Sequence, residues 1–121
     1  QIDIVRHRSW LQRHNFIKLL SIYDNHRYVG NITLIARTSR LIELQIFVGD
    51  KRTRKRGVGK TATKLCISSI PKMCSIYVRC HPSLQKFYQR LGFVQSTSLL
   101  TAHCESRESH IYLFTKGHRN G

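Results

Sequence analysis

Residues 41–70, LIELQIFVGDKRTRKRGVGKTATKLCISSI, join two segments of different period across a loop that no core can hold. Ile42, Leu44, Ile46 and Val48 are apolar at every second position, with Glu43, Gln45 and Phe47 on the other face, the pattern of a strand. From Gly57 the spacing becomes helical, through Val58, Ala62, Leu65 and Ser69, until Pro71 ends the segment. The intervening Asp50–Arg56 is too charged to bury. Gly57 and Gly59 let backbone approach a ligand, and the unpaired amides of a helix start carry the positive end of its dipole. The stretch predicts an anion cradle, most naturally for phosphate.

Two kinds of cradle fit such a stretch. GVGKT looks like the end of a P-loop, but that motif needs glycine where this chain has Arg54, which excludes it. The pattern R-x-x-G-x-G is met by Arg54, Gly57 and Gly59. Between a strand and a helix it resembles the acyl-CoA pyrophosphate loop of the GNAT N-acetyltransferase superfamily. Further along, KFYQRLGF at residues 86–93 is similar to the Y-x-x-x-G-F segment that ends the last helix of those enzymes, with Tyr88, Gly92 and Phe93 matching. The two motifs stand in the family's order, one helix and one strand apart, and the resemblance covers residues 16–115.

The remaining elements follow from pattern. Phe16–Tyr23 reads as a strand, Asp24–Arg27 as a turn, Tyr28–Ala36 as the antiparallel partner and Arg37–Arg40 as a second turn. Ser75–Cys80 is a short strand, and Ser83 is the expected N-cap of a helix striped by Leu84, Phe87, Tyr88 and Leu91 and ended by Gly92. Phe93–Leu100 and His110–Thr115 close the fold, joined by a polar loop with Glu105, Arg107 and Glu108. Residues 1–15 read as a short basic segment in which Trp10 and Leu11 pack as helix or loop. The expectation is one α/β (α+β) domain over residues 1–121, a GNAT-like mixed, mainly antiparallel sheet of order βββαβαββ.

Charge narrows the partners. Lys and Arg number 21 against 6 acids, a net +15, which opposes compactness and favours phosphorylated cofactors, nucleic acid, acidic protein or an anionic surface. No apolar run approaches a membrane span, no signal-peptide pattern opens the chain, and a start at Gln1 is expected of a fragment or trimmed chain. Cys66, Cys74, Cys80 and Cys104 form no C-x-x-C, and neighbours such as Cys80–His81 point to opposite faces of a strand. Reduced thiols, no metal and a cytoplasmic setting are expected.

The resemblance implies acetyl-CoA as acyl donor and direct transfer of acetyl to an amine. It assigns the pyrophosphate to the amides of Arg56, Gly57, Val58, Gly59 and Lys60, with charge from Arg54, Lys55 and Arg56, and the pantetheine to the backbone of Phe47, Val48 and Gly49. Glu43, eleven positions before Arg54, is the implied base, directly or through water, with a pKa raised by burial. The alternative for Glu43 is a surface pair with Arg37 or Arg40. Tyr88 is the implied acid toward the thiolate, its alternative a core aromatic. His81 stands where many members carry asparagine and reads as a structural histidine. Family members usually begin with a strand and one or two helices, for which little chain precedes Phe16. An uncovered strand edge there predicts a homodimer or a longer parent chain. The rival reading is a basic nucleic-acid-binding module, or a degenerate GNAT fold without catalysis.

Overall fold

In the computed structural model, which describes residues 1–49 and 57–95 and the backbone of 110–115, all strands join one sheet. They are β1 (Ile2–Gln12), β2 (Asn15–Asp24), β3 (Arg27–Thr38), β4 (Leu41–Val48), β5 (Ser75–Cys80), β6 (Val94–Gln95) and β7 (His110–Thr115). The helices are α1 (Val58–Ser69) and α2 (Gln85–Arg90), the latter preceded by a 3₁₀ turn at Pro82–Leu84. Sheet order is β1-β2-β3-β4-β5-β7-β6, with only the β4–β5 pair parallel. The fold class is as expected, with one strand added at the front.

That strand corrects the reading of residues 1–15. Ile2–Gln12 pairs antiparallel with β2 from Ile2↔Asp24 to Gln12↔Asn15, so the β2 edge is covered within the chain. The uncovered β2 edge that motivated a dimer is therefore not there, and β1 is the outermost strand on that side. Two features hid the strand. A bulge between Arg6 and Arg8 leaves His7 extra and breaks the alternation that begins with Ile2 and Ile4. The turn into β2 is Arg13–His14, both at positive φ (48° and 69°), without the glycine that usually signals it. The next hairpin is built alike on Asn25–His26, where the sequence does announce a turn.

One face of the sheet carries the core. Ile22, Ile32, Leu44, Ile76 and Val78 pack there against Val58, Ala62, Cys66 and Ile67 of α1 and against Tyr88, Leu91 and Phe93. The buried stripe of α1 thus runs through Cys66 and Ile67; Leu65, expected inside, is exposed, as is Leu84 before α2. Ser83 is not the cap: the His81 Nδ1 accepts the Ser83 N–H at 3.2 Å, so His81 opens the 3₁₀ turn. Gly92 (φ 97°) ends α2 with its N–H on the Gln89 carbonyl, as expected. Ile17, Ile35, Glu43 and Tyr77 share the opposite face, through the pairs Ile17↔Ile35, Ile35↔Glu43 and Glu43↔Tyr77.

Close packing at Gly30 fixes the end of β4. A bulge at Val29 lets its carbonyl accept the Gly49 N–H, and a Cβ on Gly30 would sit 2.1 Å from the Phe47 carbonyl oxygen. Gly30→Ala must therefore move backbone, and a loss of about 1–3 kcal/mol is expected. Chemical denaturation checks this, and an unchanged midpoint would show that the strand ends are looser than described.

Candidate active site

Glu43 is the centre of the site and one of its most buried residues, 1% exposed. Its Oε1 accepts from the Arg37 Nη2 at 2.7 Å and the Tyr77 hydroxyl at 2.8 Å. Its Oε2 accepts from the Gln45 Nε2 at 2.7 Å and the Arg79 Nη2 at 3.3 Å. Arg37 reaches it from a bulge that ends the regular β3–β4 ladder, and also donates from Nε to the Tyr77 hydroxyl at 3.2 Å. Tyr77 and Arg79 come from β5, two residues apart and so on one face. The Arg79 Nε is buried with no acceptor.

This arrangement reverses one expectation. Burial alone pushes the Glu43 carboxyl up. The hydrogen bonds from Arg37, Gln45 and Tyr77, with the charge of Arg79, outweigh it and hold the carboxyl below the usual range. Four donors also occupy the roughly four acceptor positions of a carboxylate. Glu43 is a fixed anion, neither a surface residue nor a carboxyl poised near neutrality. Burial and the bond to Glu43 together push the Tyr77 phenol up to about 12.

The Glu43 row is also where two strands part. The parallel β4–β5 ladder consists of Leu41↔Ser75, Ile42↔Ile76 and Glu43↔Tyr77, and β4 then continues to Val48 without pairing to β5. The strands form a V with the Glu43 cluster at its apex. On the other edge, β4 stays paired to β3 as far as Gly30↔Val48.

The mouth of the V is lined by the helices. Gly57 caps α1 at φ 74°, a conformation that favours glycine, and the first intrahelical bond runs from the Thr61 N–H to its carbonyl. The amides of Val58, Gly59 and Lys60 thus precede any helical acceptor. A Cβ on Gly59 would meet only Phe87, Val48 and Ile46 at 3.7–3.9 Å, ordinary contact distances. Tyr88 is 5% exposed, edge-on to Phe87 and Phe93. Burial and, second, the charge of Cys80 push its phenol up to about 12, so it stays protonated.

Several expected site residues therefore gather at one place. Phe47, Val48 and Gly49 form the far arm of the V, Phe47 being 62% exposed and Val48 buried. Gly57, Val58, Gly59 and Lys60 start α1, and Tyr88 lies in the neighbouring helix. Arg54, Lys55 and Arg56 lie outside the described residues. Sequence reading missed Tyr77, Arg79 and Gln45 as partners of Glu43, although Tyr77 and Arg79 alternate in SIYVRC as residues of one face do.

Residues 3–104 match the acetyltransferase (GNAT) domain model. The chain belongs to the GNAT acetyltransferase family. Solved structures agree on the fold. An acetyltransferase of the GNAT family from Staphylococcus aureus Mu50 is 24% identical, with TM-score 0.61 over 80% of this chain and 66% of that one. An acetyltransferase from Streptococcus agalactiae is 20% identical, with TM-score 0.59 over 82% and 66%. A variant of the spermidine N-acetyltransferase from Vibrio cholerae is 17% identical, with TM-score 0.67 over 84% and 65%. This GNAT chain thus spans just under two thirds of these proteins. No curated protein matches it significantly.

The sign of the Glu43 shift sets a pH dependence for this GNAT domain. Its folded pKa is depressed, so its contribution to stability is present above the unfolded pKa and lost as pH falls through the folded one. Acid weakening is expected below the ordinary carboxylate value of 4.5. Glu43→Gln leaves Arg37 and Arg79 facing each other and is expected to cost about 3 kcal/mol at neutral pH, the low end for a broken buried pair because both arginines are partly exposed. It should also flatten the acid limb. Melting curves from pH 7 to 3 check both; parallel curves for the two proteins would contradict the assignment.

Proposed function

We propose that the protein transfers acetyl from acetyl-CoA directly to an amine, without a covalent cysteine intermediate. The observation that carries this is the V that opens past Glu43↔Tyr77, with the α1 amino terminus and Tyr88 at its mouth. The amides of Val58, Gly59 and Lys60 hold the pyrophosphate, aided by the basic residues Arg54, Lys55 and Arg56 that precede them. The unpaired edge of β4 at Phe47–Gly49 runs beside the pantetheine. Attack by the neutral amine on the thioester carbonyl forms the C–N bond and breaks the C–S bond. Tyr88, kept protonated by burial, gives its proton to the departing thiolate. With its acceptor positions filled, Glu43 holds Arg37 and Arg79 in place, and the ammonium proton leaves through water.

The family resemblance and fold support this reading. Polyamine acceptors, named for one structural neighbour, suit this site less well, because the carboxylate at its apex is taken by two guanidiniums. Among the described residues no group of side chains could hold a metal ion, no helix is long and apolar enough to cross a membrane, and Cys66, Cys74 and Cys80 form no disulfide. We place the protein in the reducing cytoplasm. A second reading keeps the cofactor cradle but not catalysis, a basic module on a degenerate GNAT fold; the saturated Glu43 favours it.

Two variants separate these readings. Gly59→Ala meets no clash and replaces glycine with a better helix former, so the fold should hold. Its methyl enters the gap between α1, β4 and α2, and CoA affinity is expected to fall at least tenfold by calorimetry. Unchanged affinity would remove the cradle from this site. Tyr88→Phe should lower thiol release with an amine panel by about 10²-fold while CoA affinity holds. Wild-type turnover would return Tyr88 to the core, and absent turnover in the parent with intact CoA binding would select the second reading.

A further inference from the structure

The β1–β2 hairpin carries a charge that the acetyl-transfer site does not use. From Ile4 to Tyr23 there is no acid, whereas Arg6, Arg8, Arg13 and Lys18 are all exposed. The Arg8 guanidinium lies 4.4 Å from the centroid of the Trp10 ring. That stack fixes a flat cation in place, and its outer face is a surface on which a base can lie. A second pair, the Lys18 ammonium 5.9 Å from the Phe16 ring, decorates the other side of the hairpin.

Register connects this hairpin to the V. Trp10 pairs with Ile17, Ile17 with Ile35 and Ile35 with Glu43, so Arg8, Trp10 and the Glu43 cluster share one face. Both described helices pack on the opposite face. Three strand spacings separate Trp10 from Glu43, about 14 Å. Phe47 adds an exposed aromatic on this face, and Arg37 with Arg79 leaves the apex one positive charge in excess.

We propose that this face is a platform for single-stranded nucleic acid, running from the Arg8–Trp10 stack toward the V. Phosphates lie along Arg8 and Arg13 of the hairpin tip, and a base stacks on the Arg8 guanidinium, whereas Arg6 and Lys18 belong to the opposite face. Charge alone would admit an acidic peptide, but a preorganised stacking plane on a face that neither described helix covers suits bases. If acetyl transfer is correct, the acceptor amine is one held on or beside the bound strand; the platform itself does not require that chemistry.

The test uses the full chain and a fluorescein-labelled oligouridylate of about 12 nucleotides, a length near the site size of a single-strand-binding fold. Anisotropy across a salt series should give binding whose logarithmic slope is near about −1.4, for about two neutralised phosphates. Arg8→Gln should weaken binding about tenfold and make the slope shallower by about 0.7. Arg8→Lys should restore the slope but not the full affinity, because the charge returns without the plane. Trp10→Phe should keep most of the affinity. CoA affinity should be the same in all variants, which separates failure of the platform from failure of the cofactor cradle. Undiminished binding in Arg8→Gln, full recovery in Arg8→Lys, or equal displacement by polyglutamate and unlabelled RNA would overturn the proposal.

Discussion

A single buried carboxylate joins the three strands that build the site. Glu43 of β4 is held by Arg37 of β3 and by Tyr77 and Arg79 of β5, at the last rung before β4 and β5 diverge. Desolvating such an anion costs several kcal/mol, which the opposite charges and hydrogen bonds must offset. Four donors do so here, and in the same act they cross-link strands whose backbone ladder is about to end. The apex of the V is stitched by side chains where backbone bonds run out. Its geometry therefore depends on charge at that point, whereas the far arm depends on contact.

The far arm is set by missing side chains. With no Cβ at Gly30, β3 comes against the Phe47 carbonyl, and the Val29 bulge turns a carbonyl onto the Gly49 amide. β4 is thus drawn to β3 along its whole length and, past Glu43, leaves its other edge unpaired to β5. Gly59 keeps open the space between α1, Val48 and Phe87, at a position where the protein's own packing would accept a methyl. Gly57 is different: its neighbourhood is empty, and its positive φ is what calls for glycine. Two glycines of one motif thus answer to different constraints, one conformational and one spatial.

Much of this was legible because it is local. The strand at residues 41–48, the helix that follows, the strand at residues 75–80 and the glycine that ends α2 each declare themselves by period or by a stop residue. The first strand did not. Its bulge at His7 shifts the parity between Ile4 and Trp10, and the Arg13–His14 turn is held at positive φ by the pairing on either side rather than by its own preference. The sign of the Glu43 shift was hidden for another reason. Burial is readable from a strand of apolar neighbours, but Tyr77 and Arg79 lie more than thirty residues away and reach Glu43 only through the parallel pairing. The helix stripes slipped by one position because Cys66 and Ile67 compete with Leu65 for the same face, and tertiary contact decided between them.

The front of the chain also changes how a net charge of +15 is tolerated. β1, β2 and β3 run 11, 10 and 12 residues, against 6 for β5, so their hairpin extends well past the paired length of β5. Arg13 and His14 sit at its tip, with Arg8 and Lys18 a few residues down. Like charges placed there face water and are screened over about 8–10 Å, leaving the core free of most of their repulsion. Where cations do come together inside, at Arg37 and Arg79, a carboxylate lies between them. The same chain thus sets a carboxylate between its inner arginines and has none along the hairpin between Ile4 and Tyr23, a division that leaves the hairpin's field unopposed and directed outward.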